Sequence, residues 1–250
     1  WKRGDRFCET VRRHARLRRT ACGTGLRVQG CANGKRERGG GCRSSLSAGV
    51  LDRRVVIPEI LDSLDSADPE AIRSRADLRM INFLMGNERW ILRQLRNHPD
   101  ATRKGVVEIG AGEGALLRKL HGRGPSSADS AVAKNWLTGL DIAPRPANLP
   151  DSIHWHQNDL FQIASANTLS GGSLVACLFL HHFEDSQLQQ LSAFVQRFEM
   201  LCIVEPLRRP LPLTMAALLR PLVNRVTRHD MPVSIRAGFD RGELFAALGI

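Results

Sequence analysis

The chain has 250 residues, 42% of them hydrophobic, which suffices for one α/β domain with a full core but not for two large domains. No apolar stretch approaches the roughly 20 residues of a membrane-spanning helix, and no segment has the apolar middle region of a signal peptide. The net charge of +11 is concentrated in residues 1–48, which hold 13 Lys and Arg but only 3 acids. We therefore expect a cytoplasmic protein without a membrane span, whose near-neutral body argues against a nucleic-acid partner.

The N-terminal segment differs in composition from the rest of the chain. It is rich in Arg and Gly, its apolar residues are sparse and aperiodic, and it begins at Trp1 rather than Met. Such a segment cannot bury enough apolar surface to fold, so we predict that residues 1–50 form a disordered basic tail. A wrongly extended reading frame would explain it; a nucleic-acid-binding arm and an organelle-targeting segment are the alternatives. Four of the six cysteines lie here without a CxxC pair, so the sequence predicts no metal site.

Residues 51–100 are predicted to form a helical N-terminal lid. Asp68 followed by Pro69 is a typical helix start, with the acid as N-cap and proline at the first helical position. Apolar residues then recur at near-helical spacing until Gly86-Asn87 interrupts the pattern, which resumes around Trp90. These helices are expected to pack on the domain that follows.

Residues 101–250 alternate short apolar runs with helical segments, which is typical of an α/β fold. We predict a Rossmann-like, doubly wound, mostly parallel sheet with helices on both faces. The predicted strands are 105–109, 136–141, 153–156, 173–180 and 201–205. The predicted helices are 113–121, 185–199, 211–228 and 240–248. Residues 122–133 are interpreted as a loop insertion.

The most informative motif is VVEIGAGEG, which spans Val106–Gly114. A buried strand runs into a glycine-rich turn and then a helix, so backbone N–H groups would face a ligand at the helix start. Gly110 and Gly112 allow the tight turn and the close approach of that ligand. The spacing from Gly110 to Ala115 also fits the dinucleotide fingerprint, which keeps a nicotinamide-dependent oxidoreductase as an alternative function.

Glu108 distinguishes between these two ligands. It lies two residues before the first glycine, at the carboxyl end of the predicted strand. A carboxylate there would repel a pyrophosphate and would favour a ligand that carries ammonium and sulfonium groups. The alternative interpretation is a solvated acid at a strand end.

Two further acids follow predicted strands. Asp141 ends the second strand, where a carboxylate can accept hydrogen bonds from both ribose hydroxyls. Asp159 follows the third strand, where a carboxylate can accept a hydrogen bond from an adenine amino group. Leu160 and Phe161 come next and could cover the adenine ring. Taken singly, such residues are more often turn acids than ligands. Acids at three successive strand ends, however, indicate one binding site.

These motifs resemble those of a known family. Glu108-x-Gly110-x-Gly112-x-Gly114, Asp141 and Asp159 resemble the first three motifs of class I S-adenosylmethionine-dependent methyltransferases. SLVACLFLHHFED, at 173–185, resembles the fourth motif of members that act on small molecules. The resemblance covers about residues 55–250 and implies S-adenosyl-L-methionine as the cofactor. The residues it assigns to cofactor binding are Glu108, Gly110, Ala111, Gly112, Gly114, Asp141, Ile142, Asp159, Leu160 and Phe161.

The C-terminus departs from the family pattern. In the family the sheet usually finishes with an antiparallel hairpin, whereas this chain stops at Ile250, just after its last predicted helix. We therefore expect a truncated sheet of about five parallel strands, with an exposed edge where the hairpin is missing. This departure keeps a second alternative open, a degenerate methyltransferase fold that acts as a binding subunit.

The acceptor is expected to be a small molecule. His181 and His182 at the end of the fourth strand are the candidate catalytic bases, with half-buried packing histidines as the alternative. The segment 206–226 has more apolar residues than one core stripe requires, which favours a largely apolar acceptor of phenolic, quinol or polyketide-like kind. The residues predicted to line its pocket are Leu213, Met215, Leu218, Leu219 and Leu222. Nothing in the sequence indicates an oligomeric state.

Overall fold

The computed structural model describes residues 8–12, 51–122, 136–166 and 168–250. The rest of the N-terminal segment and most of the predicted insertion lie outside the described residues. Within the described ranges, no helix has the length and apolar character needed to cross a bilayer.

The described strands form one sheet. They are β1 (Cys8–Arg12), β2 (Val106–Ile109), β3 (Leu137–Asp141), β4 (Ile153–Gln157), β5 (Gly171–Cys177) and β6 (Phe198–Val204). Their order across the sheet is β1-β6-β5-β2-β3-β4, and β2 to β6 are all parallel. Numbered among themselves, the five parallel strands have the order 3-2-1-4-5, which confirms the predicted α/β, Rossmann-like architecture. The order reverses beside β2, so the crevice at the carboxyl ends of β2 and β5 is where such folds bind ligands.

The prediction of an exposed sheet edge is wrong. β1 pairs antiparallel with β6, in a register that places Cys8 opposite Val204 and Arg12 opposite Met200. An unpaired strand edge presents a row of N–H and C=O groups, so an extended segment that reaches it can complete the ladder. Part of the predicted disordered tail therefore occupies the edge where the family's hairpin was expected. The predicted boundaries between tail, lid and α/β domain at residues 50 and 100 stay predictions.

The segment predicted to be an N-terminal lid, which we continue to call the lid, contains α1 (Ile60–Ser63), α2 (Pro69–Met85), α3 (Asn87–Asn97) and α4 (Pro99–Arg103). The predicted start of α2 is confirmed, because the Asp68 side chain accepts a hydrogen bond from the backbone N–H of Glu70. The carboxylate of Asp230 accepts hydrogen bonds from the first two backbone N–H groups of α1, at 2.9 and 3.0 Å. These contacts attach the lid to the C-terminal half of the chain.

The remaining helices are α5 (Ala115–Leu120), α6 (Leu160–Ala166), α7 (Asp185–Gln190), α8 (Ser192–Val195), α9 (Pro210–Leu219), α10 (Arg225–Ala237) and α11 (Glu243–Ala247). The predicted helix 185–199 is shorter and divided, since β6 already begins at Phe198. The predicted helix 211–228 is also two helices, because Asn224 caps a new one by accepting a hydrogen bond from Thr227. Helix α6 was not predicted.

The two faces of the sheet bury separate apolar layers. Val107 and Ile109 face one layer, and Val106 faces the other, together with Ile91 and Leu95 of α3. Side chains alternate between the faces of a strand, so Glu108 belongs to the layer of Val106, beneath the lid. The fold thus carries a carboxyl group into an apolar layer, at the end of the central strand.

Candidate functional site

The glycine loop follows β2 directly and is left-handed at both of its first two glycines. Gly110 has a φ of 63° and Gly112 a φ of 53°, values that residues with a Cβ rarely adopt. A Cβ at Gly110 would lie only 2.3 Å from ring carbons of Phe179, whereas one at Gly112 would meet nothing within 4 Å. The loop therefore lies close against the chain that leaves β5 at Gly110 and is open at Gly112. Ala111, between them, is buried.

Glu108 is buried without a full set of hydrogen bonds. Its residue is only 6% exposed, and among the described residues its Oε2 atom has no hydrogen-bond partner. Burial, aided by the charges of Glu88 and Asp141, raises the pKa of its carboxyl to about 8. An unpaired buried carboxylate oxygen is costly, so it is suited to a ligand that brings a cationic N–H donor.

Asp141 connects the end of β3 to the glycine loop. Its Oδ2 accepts a hydrogen bond of 2.7 Å from the backbone N–H of Gly112, and its Oδ1 accepts one of 2.9 Å from that of Ala143. Each carboxylate oxygen can accept a second hydrogen bond, so both remain able to bind hydroxyl groups. Ile142, the next residue, is 76% exposed beside this acid.

Asp159 has a structural role. Its Oδ1 accepts hydrogen bonds from the backbone N–H groups of Phe161 and Gln162, at 2.7 and 3.2 Å, and so caps α6. Leu160 is buried, and the half-buried Phe161 packs edge-on against Phe183 with 5.3 Å between the ring centroids. The helix start accounts for the acid at this position, and its contact with an adenine ring stays a prediction.

His181 is fixed by a buried glutamate. Glu205 at the end of β6 accepts a hydrogen bond from the backbone N–H of Leu180 and lies 2.8 Å from His181 Nδ1. The same carboxylate also accepts hydrogen bonds from the backbone N–H groups of Phe179 and His181. This acid therefore holds the whole turn that follows β5.

The other side of His181 faces the lid. Its Nε2 lies 3.5 Å from Oε1 of Glu59, the residue before α1, and the His181 residue is only 3% exposed. Burial by itself lowers the pKa of His181, but the hydrogen bonds and charges of Glu205 and Glu59 outweigh it and raise the pKa to about 9. His182 is more accessible, with 27% of its side chain exposed, and its Nδ1 lies 3.3 Å from Asp62 Oδ2.

Sequence reasoning missed three of these participants. Glu59 and Asp62 lie in no motif and reach the histidines only through the packing of the lid. Leu178 is the third: within the described ranges it is the single non-glycine residue with positive φ, at 55°. Backbone strain of this kind concentrates at functional sites, and here it redirects the chain from β5 toward the glycine loop.

The predicted pocket lining from 206–226 is not found as expected. Leu218 is 73% exposed, Leu222 is 70% exposed and Met215 is 50% exposed, so these three residues do not line an enclosed pocket. Leu213 and Leu219 are half-buried. The excess apolar residues of this segment form a surface stripe instead.

Solved structures of the plantazolicin methyltransferase BpumL are similar to this chain. Its complex with SAH has 17% sequence identity and a TM-score of 0.50, and the match covers 72% of this chain and 69% of that chain. Its complex with a pentazolic desmethylPZN analog and SAH has 16% identity, the same coverage and a TM-score of 0.51. No protein-family model matches the sequence, and no curated protein matches it either. At this level of identity the likeness shows the fold alone, a Rossmann-like α/β fold with the strand order described above.

Proposed function

We propose that this chain is an S-adenosylmethionine-dependent methyltransferase that acts on a small, largely apolar acceptor. The observation that carries the proposal is the buried carboxyl of Glu108, whose Oε2 has no partner among the described residues. It lies at the end of the central strand, next to a loop with three left-handed glycines. A nicotinamide dinucleotide would bring an anionic pyrophosphate to this carboxyl, which would oppose its ionisation and supply no N–H donor for Oε2, and this disfavours the oxidoreductase alternative.

The residues at the strand ends would divide the cofactor between them. Glu108 would accept hydrogen bonds from the ammonium group of the methionine moiety, and the backbone of the glycine loop would pack against that moiety. Asp141 would accept the ribose hydroxyls while it holds Gly112 in place. Ile142 and Phe161 would cover the adenine ring, and the buried Leu160 would support them from the core. We offer Ala111, Gly114 and Asp159 as further members of this site.

S-adenosylmethionine, when bound, supplies an electrophilic methyl group, so the chain's own residues mainly position the reactants. The turn Leu180–His182 is the part of the fold that reaches the acceptor side. Of the two histidines, His182 has the exposed ring that an acceptor's proton could reach, whereas His181 is enclosed by two carboxylates. We therefore assign proton transfer to His182 and a positioning role to His181.

The side chains around this turn suit an aromatic acceptor. The ring of Phe179 packs edge-on against Phe183 at 5.2 Å between centroids, and Phe161 packs on the other side of Phe183. Such a cluster offers ring faces and edges to a flat apolar molecule. BpumL binds azole-containing desmethylPZN analogs together with SAH, which agrees with a small-molecule acceptor here.

A screen of acceptors would test the proposal. Phenols, quinols and alkylated pyrones should be offered with labelled cofactor, in parallel with RNAs and peptides. Methylation of members of the first group is expected. Methylation of only the RNAs or peptides would contradict the acceptor class, and cofactor binding without turnover of any acceptor would favour the binding-subunit alternative.

A further inference from the structure

Glu59, His181 and His182 meet where the lid touches the turn after β5. Each offers one potential ligand atom, and these atoms all lie within 4.8 Å of one another. We propose that this cluster binds a divalent transition-metal ion of the Zn²⁺ type. The three side chains are contributed by two parts of the fold that are distant in sequence, so the site exists only when the lid is docked.

The separation of Glu59 and His181 fits two ligands of one ion as well as it fits a weak hydrogen bond. Glu59 Oε1 and His181 Nε2 are 3.5 Å apart, which is long for a hydrogen bond. Two ligands that are each about 2.1 Å from a tetrahedral ion lie about 3.4 Å from each other. Two imidazoles and one carboxylate are the donor set of many catalytic zinc and iron(II) sites, and they leave positions open for a further ligand.

Neighbouring carboxylates orient the proposed ligands. Glu205 lies 2.8 Å from His181 Nδ1, which directs the opposite ring nitrogen toward Glu59. Asp62 lies 3.3 Å from Nδ1 of His182. Ser234 donates a hydrogen bond to Glu59. A carboxylate on the far nitrogen of a ligating histidine is the usual support of a metal site, because it fixes the ring and makes it a better donor.

Charge balance also favours a dication. The side chains of Glu59 and Glu205 are 10% and 0% exposed, and both face the imidazole of His181. Both acids lie against the same ring, so a divalent ion bound between Glu59 and His181 would balance two buried negative charges. The cluster opens toward solvent on the side of His182, whose side chain is 27% exposed.

The position of the cluster gives the ion a role in the proposed reaction. The centroids of the Phe179 and His182 rings are 6.5 Å apart, and Phe179 lies directly over Gly110. An ion here would bind an acceptor hydroxyl as a Lewis acid and favour its ionised form, with the proton released to solvent. His182 would then act as a ligand instead of as the base. Only this role rests on the proposed function; binding of the ion does not.

The test is a metal titration of the full chain after a chelator has removed any bound metal. Co²⁺ binding is followed by its absorption spectrum, and Zn²⁺ binding is measured by calorimetry. We expect one equivalent to bind through nitrogen and oxygen ligands. Binding should weaken at least tenfold in Glu59→Gln and His182→Gln. His121→Gln, which removes an exposed histidine outside the cluster, is the matched control and should bind like the wild type. Circular dichroism and thermal unfolding show that each variant is folded.

Three results would overturn the proposal. The first is the absence of stoichiometric metal binding, and the second is equal metal affinity in the wild type and the two cluster variants. The third is a thiolate-to-cobalt charge-transfer band, because such a band would assign the ion to cysteines. Titration with S-adenosylhomocysteine in the same samples reports separately on the cofactor site. Failure of the metal proposal and failure of the proposed function are therefore distinguishable.

Discussion

The carboxylate of Asp141 accepts a hydrogen bond of 2.7 Å from the backbone N–H of Gly112. This bond joins the end of β3 to the glycine loop after β2, across the boundary between neighbouring strands. The acid is thus positioned by the same loop with which it is proposed to bind the cofactor. Its removal should affect the shape of the loop as well as the ribose contact.

Asp141→Asn should weaken binding of S-adenosylhomocysteine at least tenfold. The amide group can accept at only one of its two positions, so the N–H of either Gly112 or Ala143 loses its acceptor, together with the ribose hydroxyl on that side, at a cost of about 1–3 kcal/mol. Isothermal titration calorimetry measures the effect. Asp151→Asn, a fully exposed acid in a nearby turn, is the control and should leave the affinity unchanged. Equal affinities of Asp141→Asn and wild type would remove this residue from the site.

The burial of Glu108 predicts a stability that depends on pH. Its folded pKa of about 8 lies above the ordinary glutamate value of 4.5, so between these values the folded state holds a proton that the unfolded state has lost. The contribution of this carboxyl to the free energy of unfolding therefore falls as pH rises from 4.5 to about 8 and is constant above that.

Glu108→Gln removes this dependence. The variant should gain stability over the wild type as pH rises from 5 toward 8, and the gain is at most about 1.4 kcal/mol of unfolding free energy for each step of one in pH. Urea denaturation at several pH values measures the gain. A stability difference that stays constant across this range would show that the carboxyl is not buried as the structure has it.

Gly110 and Gly112, two of the three left-handed glycines of the loop, should respond differently to alanine. Gly110→Ala combines the strain of positive φ with a clash against Phe179, whereas Gly112→Ala suffers only the strain. We expect Gly112→Ala to cost about 1 kcal/mol and Gly110→Ala clearly more. Urea denaturation compares the two, and Phe179→Ala should relieve part of the loss in Gly110→Ala. Equal destabilisation of the two glycine variants would contradict the contact between the loop and Phe179.

The pairing of β1 can be tested with two consecutive prolines. Backbone N–H groups of an edge strand point alternately toward its partner and toward solvent. One of the two variants Glu9→Pro and Thr10→Pro therefore removes an N–H group that points toward β6, and the other removes one that points toward solvent. The first kind should lower the thermal unfolding temperature and promote self-association through the bare edge of β6, and the second kind should have smaller effects. Light scattering measures the association. If both variants match the wild type, the strand Cys8–Arg12 does not cover that edge.

Strands β2, β3, β5 and β6 could be predicted because each is a short, mostly apolar run that is almost wholly buried. Strand β4 is polar at three of its five residues and only partly buried, so its pattern is weaker. The pairing of Cys8–Arg12 with β6 could not be predicted, because an edge is completed through backbone groups and leaves little trace in the side-chain pattern. Helix α6 was missed because Asp159 was interpreted as a ligand rather than as a helix cap.

The candidate site divides in the same way. Glu108, the glycines and Asp141 lie at strand ends, and the fold class alone brings strand ends together. Glu59 and Asp62 reach the two histidines because α1 docks beside them. Asp230 holds α1 there, since its carboxylate accepts hydrogen bonds from two backbone N–H groups of that helix. No local sequence pattern reports a contact of this kind. The apolar segment 206–226 was misassigned because periodicity cannot distinguish a pocket from an exposed surface.

The central claim is that Glu108 recognises a cationic cofactor, and a competition titration tests it most directly. Wild-type protein, Glu108→Ala and Glu199→Ala, which removes an exposed glutamate, should each be titrated with S-adenosylmethionine and with NADH. We predict that S-adenosylmethionine binds the wild type and Glu199→Ala alike, that Glu108→Ala loses this binding, and that NADH binds none of the three. Preference of the wild type for NADH, or wild-type affinity for S-adenosylmethionine in Glu108→Ala, would contradict the account.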